Sequence, residues 1–169
     1  EISQNIHKIQ AIDNYIVAIE KLLPQYVFGR GNIALEEVVG TLLKKSKQTV
    51  SAVESCTGGA VSAALTSVPG SSSYFEGSIV SYSKNVKMDL VDVDEETILA
   101  HGIVSKEVVE EMAINGKRIF STDYCVALSG YAGTSSELTE GMVGSICIAV
   151  AGNEGVISKK FKFEKDRSR

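Results

Sequence analysis

Apolar residues in the first part of the chain recur with a helical period. Ile2, Ile9, Ile16 and Leu23 stand seven residues apart, with Ile12 and Ile19 filling the positions between. A 3.5-residue repeat predicts one helix over residues 2–23, either the seam of a coiled coil or a helix packed on its own domain. Pro24 ends it, and Gly29-Arg30-Gly31 reads as a turn. Asn32 is placed to cap a second helix whose Leu35, Val38, Val39, Leu42 and Leu43 share one face. After Lys44-Lys45-Ser46 the pattern switches to strand–helix alternation. Strands are predicted at 49–54, 77–83, 123–129, 143–150 and 156–163. Helices are predicted at 60–67, near 85–90, at 95–100 and at 106–120, with Asp94 and Ser105 as N-caps of the last two. This alternation predicts a three-layer α/β/α sandwich preceded by an N-terminal helical extension over residues 1–31.

Size and charge narrow the functional classes. A chain of 169 residues corresponds to about one domain. Seventeen basic and twenty-one acidic residues leave a net charge of −4, which gives no electrostatic case for nucleic acid or an anionic membrane. No apolar run approaches the roughly 20 residues of a membrane span, and no signal peptide opens the sequence. Of the three cysteines, Cys125 and Cys147 sit in apolar runs where a reduced, buried thiol is expected. The reading is cytoplasmic. A first residue of Glu rather than Met suggests that something is missing upstream.

The chemistry concentrates in Glu54-Ser55-Cys56-Thr57-Gly58-Gly59. A serine at the carboxyl end of a strand, followed by glycines and a helix start, lies at the rim where open α/β sheets bind ligands. The helix N-terminus there is expected to supply free N–H groups for a phosphate or an oxyanion. The segment is neither a Walker A loop nor a G-x-G-x-x-G fingerprint. His7 and His101 have no carboxylate partner that the sequence identifies, so a Ser-His-Asp triad is poorly supported. The other available base is a lysine with a lowered pKa. Tyr82-Ser83-Lys84-Asn85-Val86-Lys87 leaves the second strand at its end, and Tyr82 and Lys87 reach the same rim if that strand adjoins the first. A lysine in such a place is ordinarily solvated.

Six segments together carry a resemblance. Glu54-Ser55-Cys56-Thr57-Gly58-Gly59, Val68-Pro69-Gly70-Ser71-Ser72, Tyr82-Ser83-x-x-x-Lys87 and His101-Gly102-x-Val104-Ser105 occur in order, followed by Ser129-Gly130-x-Ala132-Gly133 and Val143-Gly144. In sequence and spacing the set resembles the CinA C-terminal domain over about residues 33–167. Leu22–Gly40 also looks like the segment preceding this domain in longer competence/damage-inducible proteins.

The resemblance implies a mixed central sheet, an amidohydrolase domain over 32–169, no required metal or cofactor, and a homodimer or higher homo-oligomer. It implies hydrolysis of nicotinamide mononucleotide to nicotinate mononucleotide and ammonia. Ser55 matches the family's proposed nucleophile, Lys87 its base, and Tyr82 the tyrosine beside them. Glu54, Cys56, Thr57, Gly58, Gly59, Ser129 and Gly130 are expected around the substrate. N–H groups of the turn at 56–59 are expected to hold the oxyanion. Arg167, in Lys165-Asp166-Arg167, matches the arginine of a G-D-R segment.

The sequence also departs from the family. Where the family reads A-G-P and a glycine-rich loop closing in K-P-V-G, this chain has Ala132-Gly133-Thr134 and then 135–142, with Glu137 and Glu140. Carboxylates facing an anionic nucleotide would repel its phosphate. Lys84 replaces a usual asparagine, adding a cation near Lys87. Two rival readings follow. One is a nucleotide-binding or structural domain that no longer turns over. The other makes Cys56, a thiol at a helix N-terminus, the nucleophile or a redox centre.

Overall fold

The computed structural model describes residues 2–133 and 142–163, with side chains from residue 10 onward. It divides into two compact units, residues 1–38 and 39–169.

In the first unit, helix α1 runs Ile2–Leu22. Pro24 lies just beyond its end, where a residue without an N–H cannot continue the helix. Arg30 reaches back with its fork to both carboxylate oxygens of Glu20, at 2.7 Å each. Ile12, Ile19 and Leu23, three members of the heptad stripe, are exposed. Helix α2 runs Leu35–Ser46 and belongs to the second unit from residue 39 onward. Its start corrects the assignment of Asn32 as cap: the Glu37 carboxylate accepts the Ala34 N–H at 3.0 Å, so the helix begins three residues later than Asn32.

The second unit is built on a five-stranded mixed sheet in the order β2-β1-β3-β4-β5. The strands are β1 Val50–Glu54, β2 Phe75–Val80, β3 Tyr124–Gly130, β4 Ser145–Gly152 and β5 Gly155–Lys162. β1 runs parallel to β2 and β3, and β3-β4-β5 is an antiparallel meander. Helices α3 Ala60–Ser67, α4 Lys84–Val91, α5 Glu95–His101 and α6 Lys106–Phe120 connect them. β2 ends at Val80 rather than at residue 83. The reason is local: Ser81 turns its carbonyl out of the ladder, and Ser83 caps α4 by accepting the Val86 N–H.

Helices cover both faces of the sheet. On one face, Val53, Cys125, Ala127, Cys147 and Ala149 pack against Val108, Val109, Met112 and Ala113 of α6 and Val91 of α4. The small residues on β3 and β4 let α6 approach closely. Gly116 takes this to its limit, because a Cβ there would stand 2.5 Å from Val53 Cγ2 and 2.6 Å from Cys125 Sγ. On the other face, Leu43 of α2 and Leu65 of α3 enclose Val50 and Tyr74, whose hydroxyl donates to the Leu65 carbonyl at 2.7 Å. The three-layer arrangement follows from strand alternation, which sends Val53 to one face and Val50 to the other. Among the described residues, no helix is long and apolar enough to cross a membrane.

Topology selects one place on this sheet. The chain leaves β1 through α3 on one face and leaves the neighbouring β2 towards α4–α6 on the other. Loops that diverge in this way open a crevice at the carboxyl ends of the strands.

Candidate active site

Ser55 follows the last residue of β1, and Lys87 lies in the first turns of α4, the helix after β2. Parallel pairing of β1 with β2 brings the two strand ends side by side. Lys87 Nζ lies 2.9 Å from Ser55 Oγ. The same amine donates to the Ser81 carbonyl. Ser81 is itself tied to β1, its N–H donating to the Glu54 carbonyl at 2.7 Å. One continuous set of hydrogen bonds therefore joins the two strand ends to the amine and the hydroxyl.

The amine is fully buried and Ser55 is 7% exposed. This differs from the solvated position expected of a lysine at the rim. Removing an ammonium from water favours its neutral form, and burial brings Lys87 from 10.5 down to about 8, against an opposing pull from Cys56. The lowered value leaves a minor neutral fraction near physiological pH, enough for Lys87 to be a competent base. With one N–H directed to the Ser81 carbonyl, the lone pair of the neutral amine can face the Ser55 hydroxyl. His101 lies instead beside Glu107, 3.9 Å away, with both side chains about half exposed.

Glu54 has a different environment from the one expected. Its carboxylate is fully buried and turned into its own chain rather than towards a ligand. Thr57 Oγ1 donates to it at 2.6 Å, the N–H groups of Gly59, Val61 and Ser62 at 3.1, 3.0 and 2.7 Å, and the Ser62 hydroxyl also donates. Burial pushes its pKa up, but the hydrogen bonds from Ser62, Thr57 and the backbone outweigh burial and hold it below the ordinary value. The expectation of free N–H groups at the α3 N-terminus is corrected by this arrangement. An internal anion already occupies that end of the helix. The Gly58 N–H goes to the Ser55 carbonyl and that of Ala60 to the Thr57 carbonyl. Among the described residues, the Thr57 N–H has no such acceptor, and Thr57 is exposed.

The other expected site residues divide. Ser129 is buried, and its hydroxyl donates to the Ile103 carbonyl at 3.0 Å, so it anchors the 102–104 loop to the end of β3. Gly130 leaves no room beside the turn after Ser55: a Cβ on it would stand 2.8 Å from Ile146 Cγ1 and 3.0 Å from both Cys56 Sγ and the Ser145 carbonyl. Tyr82 is 60% exposed at the rim, whereas its neighbour Ser81 is buried on the amine. Arg167 and residues 134–141 lie outside the described residues. Sequence reading passed over Ser81 and Ser62. Ser81 acts through its backbone carbonyl, which every residue carries. The signal for Ser62 was a glutamate before the turn with hydroxyl residues three and eight positions on.

The Gly130 contacts make a prediction. Gly130→Ala is expected to destabilise the chain by about 1–3 kcal/mol through overpacking. By displacing the Cys56 turn it is also expected to lower activity per folded molecule about tenfold or more. Denaturant titration beside an activity assay reads both, and unchanged activity would show that the contact does not bear on the nucleophile.

The sequence model of the CinA C-terminal domain matches residues 32–169. The chain belongs to the CinA C-terminal domain family. It is 39% identical over 170 residues to a CinA-like protein of Flavobacterium psychrophilum, covering 100% of this chain and 38% of that one. A CinA-like protein of Fervidobacterium nodosum is 40% identical over 162 residues, covering 94% and 40%. The chain thus spans about two fifths of the length of these CinA relatives. Among solved structures, a competence or damage-inducible protein from Enterobacter asburiae superposes with TM-score 0.76 at 28% identity, covering 79% of this chain and 84% of that one. A competence/damage-inducible protein from Agrobacterium tumefaciens gives 0.75 at 29%, covering 79% and 82%. The mixed sheet flanked by helices is the CinA fold.

Proposed function

We propose that this CinA-family chain is an amidohydrolase that converts nicotinamide mononucleotide to nicotinate mononucleotide and ammonia, with residues 32–169 as the catalytic domain. The observation that carries this reading is the buried Lys87 amine, 2.9 Å from the hydroxyl of a serine at the crevice. Ser55 Oγ attacks the carboxamide carbon while its proton passes to Lys87 Nζ. The carbon–oxygen bond forms and the carbonyl π pair moves to oxygen, where the exposed Thr57 N–H is available to it. As the tetrahedral intermediate collapses, the C–N bond breaks and Lys87 returns the proton to the leaving nitrogen, which departs as ammonia. Water, deprotonated by Lys87, then attacks the acyl-enzyme, and Ser55 leaves with the proton.

The test is ammonia release from nicotinamide mononucleotide by the purified chain, set beside binding of the same nucleotide. Release that depends on Ser55 supports the amidohydrolase. Binding without release supports the rival, a nucleotide-binding domain without turnover, for which the changed 134–142 segment is the sequence argument. Release that survives Ser55→Ala but not Cys56→Ala would transfer the role to the thiol.

The proposal includes a homo-oligomer. Ile12 and Ile19 lie exposed on the heptad face of α1, and an apolar stripe of this kind is covered when copies associate. Light scattering at micromolar concentration is expected to give at least a dimer, and a monomer would remove this part of the proposal.

A further inference from the structure

We infer that Glu54 is a positioning residue of the Ser55–Lys87 pair, its buried carboxylate holding the nucleophile turn in the one conformation that presents Ser55 Oγ to the amine. The inference rests on Ser55 as the nucleophile and goes beyond that reading by assigning its orientation to a residue that does not touch the substrate.

Glutamate is among the residues least often fully buried without an ionic partner, yet Glu54 is fully buried and makes no salt bridge among the described residues. Dipoles take the place of a cation. Five donors converge on two oxygens: Ser62 N–H and hydroxyl on Oε1, and the Thr57 hydroxyl with the Gly59 and Val61 N–H groups on Oε2. The donors span residues 57–62, so the carboxylate grips both the turn after Ser55 and the first turn of α3.

Such a grip is specific to a carboxylate. All five partners donate, and only an ionised carboxyl group offers acceptors in every direction needed. An amide in its place would aim an NH2 group at other donors, whichever way it turned. The backbone needs this support, because Gly58 and Gly59 both have positive φ, at 60° and 105°. Two adjacent glycines in that region give the turn other accessible conformations, and the carboxylate selects among them.

Glu54 also reaches the other member of the pair. Its carbonyl accepts the Ser81 N–H at 2.7 Å and the Ser81 hydroxyl at 3.3 Å, and the Ser81 carbonyl accepts Lys87 Nζ. The side chain thus orients the nucleophile and the main chain orients the base. An alternative role, binding the substrate, is disfavoured because the carboxylate already has its full complement of donors.

The test measures Ser55 itself and needs no assumption about substrate. A fluorophosphonate probe labels an activated serine: the Ser55 oxygen bonds to phosphorus, fluoride leaves, and the hydroxyl proton passes to Lys87. The rate is followed against pH for the wild type and Glu54→Gln, with thermal melts confirming that the measured protein is folded and Ser55→Ala as the blank. Glu54→Gln is expected to lower the high-pH plateau of labelling by on the order of 10²-fold, the size of effect that follows from misplacing a reacting group by about 1 Å, while leaving the midpoint of the pH profile in place. An unchanged plateau with a lowered melting temperature would reduce Glu54 to a structural cap and overturn the inference. A shifted midpoint at an unchanged plateau would overturn it too, making Glu54 an electrostatic partner of Lys87. Should Glu54→Gln fail to fold, Thr57→Val and Ser62→Ala each remove a donor and are expected to lower the plateau severalfold, and equality with wild type would overturn the inference. A wild type that shows no Ser55-dependent label refutes the nucleophile assignment instead, which separates the two failures.

Discussion

Ser55→Ala is expected to abolish ammonia release from nicotinamide mononucleotide, lowering kcat by on the order of 10³-fold or more. Nucleotide affinity should change little. In the proposed mechanism the hydroxyl contributes a bond that forms only during reaction, whereas ground-state contacts are expected from other groups lining the crevice. Folding should also be nearly unaffected, because Lys87 keeps the Ser81 carbonyl as a partner when the serine oxygen is removed. The separation of kcat from affinity is the decisive readout. Equal loss of binding and turnover would mean that Ser55 holds the substrate rather than attacks it. Turnover unchanged from wild type would end the proposed mechanism.

The pair at the centre of that prediction was legible to different degrees in its two halves. A serine between a β-branched strand and two glycines is a strand-to-helix turn from local pattern alone, and 50–54 and 60–67 form as that pattern requires. The lysine was not legible in the same way. Lys87 stands among Lys84, Asn85 and Asp89, so its surroundings in sequence look solvated, and resemblance to a family pointed to it rather than its own neighbourhood. Its burial arises from parallel pairing of strands whose ends lie 26 residues apart, Glu54 beside Val80. The end of β2 moved for a local reason instead, because the Ser81 carbonyl leaves the ladder to meet the amine of Lys87 and Ser83 turns to cap α4. Glu54 shows the converse limit. Resemblance to a family suggested a ligand contact, but only the path of the chain shows that its acceptors are taken by the turn and helix that follow it.

Lys87 should leave its mark on both rate and stability, with opposite origins. With the neutral amine as the proposed base, kcat/KM should rise with pH by about tenfold per unit at acidic pH. It should level off above a midpoint near 8, to which burial has brought the amine from 10.5. Lys87→Met removes the base, and its activity should fall as far as that of Ser55→Ala. The double variant should be little worse than either, since groups that act as one unit are not additive. Stability runs the other way. Below about pH 8 folded and unfolded chains both carry the proton, and the folded state bears the full penalty of a buried ammonium. Between that point and the unfolded value of about 10.4, the unfolded chain holds the extra proton, so wild-type stability gains with rising pH. Lys87→Met has no such penalty to lose. Its melting temperature should exceed that of the wild type at pH 7, with the gap narrowing towards pH 10, as expected where function keeps an unfavourable group buried. Melts of the two proteins across this range cancel the other titrating groups. A constant gap, or a rate that is flat between pH 6 and 9, would show that Lys87 does not titrate in the folded state as a base must.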